Sequence, residues 1–325
     1  MKKLLGFLFV GILLFTACQS DFDDDYDQVE QPGDHSYDDD YDDDDYDDDD
    51  NDDHDNGGHD HSGAGDARIS LYEVNGNSVT LKLDYDVPAR FKGYQDDKAL
   101  HQDIWKYVTT VLPVDLLDKV TEFELFFGDN ETLGYVEPID RDDLSKWRFA
   151  LAIDEAAGLD VVDLKSDFVY TIIHEYGHVL SLNDEQIDAT TEVDDCNQYH
   201  TGEGCAFQNS YINKIVNIGW SDILDQIGRD PEALYERYQD RFSTAYAATN
   251  PGEDIAEVFT QFIIAEDRPS GSTIAADKIR SLYKRDELAE MRMRIRNSIP
   301  SATLRTLNVA DYHAMLPRLH RGHNH

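Results

Sequence analysis

Positive charge is scarce in this sequence: 28 Lys and Arg stand against 68 Asp and Glu, for a net charge of −40. A surface of that sign repels phosphate backbones, so no nucleic-acid partner is expected. Residues 21–66 hold no Lys or Arg at all, against 22 Asp and one Glu. With little apolar surface to bury and charges that repel one another, residues 19–66 are expected to form a disordered, Asp-rich tether. That run also lacks the D-x-D-x-D-G order of a calcium loop, so any Ca2+ it holds is expected to be weakly bound. Long apolar runs are missing beyond Leu4 to Phe15, and that one is too short to cross a bilayer comfortably. No internal repeat is present, which excludes a solenoid or propeller. Cysteine occurs three times, at Cys18, Cys196 and Cys205.

The chain opens "MKKLLGFLFVGILLFTACQS", with Lys2 and Lys3 ahead of the apolar run, the pattern of an export signal. "FTAC" at 15–18 resembles the bacterial lipobox. The resemblance implies that residues 1–18 are a lipoprotein signal, with Cys18 carrying acyl chains such as palmitate. At about 0.8 kcal/mol per buried CH2, more than one chain makes a stable membrane anchor. Acidic residues just behind the lipidated cysteine resemble surface-export signals of lipoproteins in some Gram-negative bacteria. The expected location is therefore the outer membrane, facing outward. Cys196 and Cys205 lie close together in an exported chain, and a local disulfide is expected.

Residues 67–325 are expected to hold the folded domain. "RISLYEVNGNSVTLKLDY" (68–85) predicts two strands around Asn75-Gly76-Asn77. Apolar residues at helical spacing predict a helix over 97–112, while "EFELFF" (122–127) and "WRFALAI" (147–153) predict strands. From about Asp163 onward helices dominate. "SDFVYTIIHEYGHVLSL" reads as buried, and Asp230-Pro231 and Asn250-Pro251 each supply a cap and a first-turn proline. Glu253 takes the third position of a capping box, and two further helices are expected near 274–283 and 285–298. The fold class is α+β, with a small mixed sheet first, a mostly helical second half and a cleft between them. The tail "HAMLPRLHRGHNH", with His313, His320, His323 and His325, reads as a frayed terminus.

"HEYGH" at 174–178 carries the chemistry. On a helix, His174 and His178 share one face and can both reach a Zn2+ ion. Glu175, one position round, is placed to take a proton from a water activated there. A charged residue inside an otherwise apolar helix is costly without a partner. Gly177 leaves room beside the histidines at a propensity cost of roughly 1 kcal/mol.

Two residues compete to be the third ligand. "HEYGHVLSLND" partly resembles the metzincins, which would make Asp184 the ligand. However, Ser181 stands where those proteins have glycine, and no methionine occurs between Met1 and Met291 to form their methionine turn. "YAATNPGEDIAEVF" (246–259) resembles the third-ligand segment of gluzincins related to anthrax lethal factor. That resemblance covers roughly 30 residues in two motifs. It implies a zincin-like fold with Glu253 as the third zinc ligand and Tyr246 as donor to the oxyanion. From their spacing alone, Glu253 and Glu257 share a helix face. One carboxylate can bind metal while the other, Glu257, accepts the N–H of a ligating histidine.

The activity implied is zinc-dependent hydrolysis of a peptide or protein substrate at the cell surface, with "WRFALAI" as the strand beside which substrate pairs. The alternative is a non-catalytic, zinc-containing surface lipoprotein that binds peptides or other ligands for an uptake system. A third reading makes the tether a cation buffer. The insert at 183–229 matches nothing in the resemblance.

Overall fold

The computed structural model describes residues 67–129, 132–156, 158 and 164–307. Cys18, the signal, the tether and the four histidines of the tail lie outside them.

Strand β1 (Ala67–Asn75) turns back at Gly76 into β2 (Ser78–Asp84). Gly76 has φ +63°, the left-handed conformation such a two-residue turn requires. After α1 (Lys92–Asp96) comes α2 (Lys98–Val111), capped by the Asp97 carboxylate on the Leu100 N–H. Strands β3 (Val120–Phe127), β4 (Gly134–Asp140) and β5 (Asp143–Ala152) complete a five-stranded sheet of order β2-β1-β3-β5-β4. Only the β3/β5 pair is parallel. Alternation along β3 sends Phe123 and Leu125 into the main core, where Trp105 of α2 packs at 5.1 Å from the Phe123 ring. Glu124 points to the other face. It is fully buried there, but Arg68 at 3.0 Å and the hydroxyls of Tyr85 and Tyr135 all donate to it, satisfying the charge.

The sheet corrects one expectation. β5, which contains "WRFALAI", is paired on both sides, by β3 and by β4. A strand with no open edge cannot accept another, so the substrate strand does not pair there. The sheet's edges are β2 and, beside β5, β4. Pro138 of β4 lacks an N–H, which only an edge or end position tolerates.

A short α3 (Ile153–Ala156) leads to α4 (Ser166–Leu182), whose residues are almost all buried. The following segment carries the two-stranded ribbon β6 (Ile187–Asp188) and β7 (Cys205–Ala206), then α5 (Tyr211–Gly219) and α6 (Pro231–Arg237). Cys196 and Cys205 are joined in a disulfide. The rest is helical: α7 (Pro251–Ile264), α8 (Ile274–Leu282), α9 (Asp286–Ser298) and α10 (Ser301–Thr306). The described protein is thus α+β, with a mixed sheet first and helices after.

α7 is buried along its entire length and held at three points. At its start, Asn250 Oδ1 accepts from the Glu253 N–H at 2.9 Å. At its end, Arg296 donates to the carbonyls of Ile263, Ile264 and Ala265, and Arg292 to that of Phe262. Cations there complement the helix dipole. Between them, Asp254 is paired with Lys278 of α8, both side chains fully buried, and also accepts from Trp220 Nε1 at 2.7 Å. Burial pushes Asp254 up and Lys278 down, against the attraction between the two. Removing one partner of such a pair strands the other charge, at a cost of about 3–5 kcal/mol. Lys278→Met is expected to lose stability on that order in urea unfolding; a loss under about 1 kcal/mol would show that the pair does not anchor α7.

Candidate metal centre

α4 and α7 cross closely because Gly177 has no side chain. A Cβ there would sit 3.0 Å from the Cα of Ala256 and 3.4 Å from its Cβ. The glycine therefore serves the approach of α7, where the sequence suggested room beside the histidines. At this crossing the carboxylates of α7 come up to the imidazoles of α4.

His174 Nε2 lies 3.1 Å from Glu253 Oε2, His178 Nε2 lies 3.3 Å from the same oxygen, and the two Nε2 atoms are 3.2 Å apart. Ligands about 2.0–2.1 Å from a tetrahedral ion are separated by roughly 3.3–3.4 Å. The three atoms thus nearly form one face of a coordination tetrahedron, and they could hold a metal ion. Glu253 makes only half of the expected capping box. Its N–H bonds Asn250, but its carboxylate turns to the histidines. The N-terminal end of a helix favours that negative charge.

Glu257, one turn on, accepts from His174 at Nδ1, 3.0 Å away. It also receives the Tyr170 hydroxyl at 2.8 Å on each oxygen. A hydrogen on His174 Nδ1 leaves the Nε2 lone pair for a cation. Tyr170 went unread in the sequence, although its place one turn before His174 on the same helix face was available as a signal. Tyr246 stacks on His174, ring centroids 5.4 Å apart and 27° from parallel, and its hydroxyl hydrogen-bonds Glu253. Glu175 is 1% exposed, and its charge acts on His174, His178 and Tyr246. Asp184 is not part of the group: it lies past the end of α4 and pairs with Lys119 at 2.6 Å. The structure therefore brings His174, His178, Glu253, Glu257 and Tyr246 together and leaves Asp184 outside.

The electrostatics suit a cation. Burial opposes protonation of His174, but Glu253 and Glu257 outweigh it and raise its pKa to about 10. Burial lowers His178, against the pull of Glu253. Burial would raise Glu253, yet the two histidines hold it well below the usual carboxylate range. One positive charge thus belongs among these three side chains, as a proton or as a metal. Glu257→Gln keeps the shape of the site but weakens its hold on the His174 N–H. Metal affinity is expected to fall about 10–100-fold, measured by chelator competition; unchanged affinity would show that Glu257 does not tune the site.

No protein-family model matches this chain, and neither a curated protein nor a solved structure matches it. Among the described residues, no helix is long and apolar enough to cross a membrane.

Proposed function

We propose that this protein is a zinc metallopeptidase of gluzincin type, resembling the anthrax lethal factor catalytic domain, with a zincin-like fold and a lipid anchor that holds it at the bacterial outer surface. The observation that carries the reading is the triangle of His174 Nε2, His178 Nε2 and Glu253 Oε2, with edges of 3.1–3.3 Å and Glu175 buried beside it. Two histidines and one glutamate suit zinc and leave a coordination position open. Zinc in such a set supplies a Lewis acid that makes a water more acidic and polarises a carbonyl. The Glu175 carboxylate takes the proton from the attacking water and passes it to the leaving amine as the C–N bond breaks. Tyr246 O–H donates to the oxygen on which negative charge develops, an interaction typically worth about 10²–10³ in rate. The edge of β4 is where an extended substrate can add, since Gly134 at its start lies against Thr171, one turn before Glu175 on α4.

Burial favours the second reading, a non-catalytic zinc-containing surface lipoprotein. His174 and His178 are fully buried and Glu253 is 1% exposed, with Tyr246 lying against the His174 ring. The experiment that separates the two is metal analysis of the purified chain combined with a peptide-library digest. One zinc per chain with cleavage supports the peptidase, and one zinc without cleavage supports the binding protein.

A further inference from the structure

The insert at 183–229 supplies none of the three side chains that could hold the metal. Together with the end of α8, it walls a groove of about 580 Å³, within the roughly 300–1,000 Å³ range of ligand pockets. We infer that this groove binds an acidic sugar, a ligand dense in hydroxyls and bearing a carboxylate. The inference does not depend on the metal reading.

Three cations meet in this groove, Lys214 of α5 and Lys284 and Arg285 at the turn after α8. Residues 67–325 carry a net charge of −19. Lys82, Lys98, Lys119, Arg148 and Arg241 are all paired with carboxylates. Among the described residues, no carboxylate pairs with Lys214, Lys284 or Arg285, and no lining side chain is acidic. A local surplus of positive charge in an acidic domain suits an anion.

The remaining lining residues say what kind of anion. Most are amides, and none of the lining side chains is apolar. Asn213 gives its N–H groups to Gln198 Oε1 at 2.7 Å and to the Gln208 carbonyl at 3.1 Å. Asn217 gives one to the Asn213 carbonyl at 2.8 Å. These bonds leave the Asn213 and Asn217 Oδ1 atoms as acceptors and the Gln198 NH2 as a donor. Hydroxyls both donate and accept, so they use both kinds of group, whereas phosphate would leave the amide oxygens unmatched. Gln198 sits inside the disulfide loop Cys196–Cys205, and that loop braces the rim.

Isothermal titration of the full chain with trigalacturonate and with sialyllactose tests this, with maltotriose and hepta-aspartate as comparisons. Saturable binding of either acidic sugar is expected, and which one binds identifies the source. Lys214→Ser with Lys284→Ser should weaken it at least about tenfold, since each removes a charge-assisted contact. Both lysines are exposed, and among the described residues their side chains make no hydrogen bond, so folding should be unaffected. Binding should survive chelation of metal, and the double variant should keep the zinc content of the parent, which separates this result from the peptidase test. Absence of binding by both acidic sugars, equal binding of maltotriose or of hepta-aspartate, or full binding by the double variant would overturn the proposal.

Discussion

Glu175→Gln is expected to leave one metal ion per chain and to reduce peptide hydrolysis by at least about 10²–10⁴, the range a positioned general base contributes. The amide has the shape of the carboxylate but cannot take a proton from water. Glu175 does not belong to the triangle of ligand atoms, so metal content should not change. The measurement is initial cleavage rate beside metal-to-protein ratio for parent and variant. If cleavage persists at the parental rate with metal bound, Glu175 is not the base and the peptidase reading fails. If the parent does not cleave while binding zinc tightly, the binding-protein reading stands instead.

Glu253→Ala carries the second large effect. It removes one of three ligand atoms, and the loss in metal affinity should exceed the roughly 10–100-fold expected for Glu257→Gln, which touches the site only through His174. It also removes the charge that helps hold His174 well above its ordinary pKa. In the parent, the His174 pKa of about 10 means that metal must displace a proton below that pH. The apparent affinity should then rise about tenfold per pH unit between 7 and 9. With Glu253 gone, the pH dependence should flatten, because His174 binds its proton less tightly. The sign also holds for stability in the absence of metal. The folded pKa of His174 is raised, so its contribution is fully present below about pH 6.5 and is lost as pH rises through about 10. Chelator competition across pH measures the first effect. Equal slopes for parent and variant would show that Glu253 does not govern His174.

The candidate site could be read in the sequence where its chemistry depends on local spacing. His174 and His178 must share a face if 166–182 is a helix, and Glu253 and Glu257 must share one if 251–264 is. Caps were equally local: Asn250 and Asp230 both accept from the N–H groups their positions imply. β4 was not predicted, because seven residues interrupted by Pro138 give a weak alternation. The interior position of β5 could not be read at all, since pairing partners are set by strands distant in the chain.

By itself the sequence determined an acidic, mixed α+β chain, the helix with two histidines four residues apart, and two carboxylates on one face of a later helix. Those features depend on helical repeat and backbone capping within a few residues. Only the tertiary structure decided that the two helices cross at Gly177 and Ala256, that Glu253 rather than Asp184 closes the triangle with the two imidazoles, that Tyr170 reaches Glu257 and that Tyr246 stacks on His174. The physical reason is that these contacts join residues some 70 to 90 positions apart. Such contacts form when buried helix faces pack without voids, and no local spacing in the chain encodes that fit.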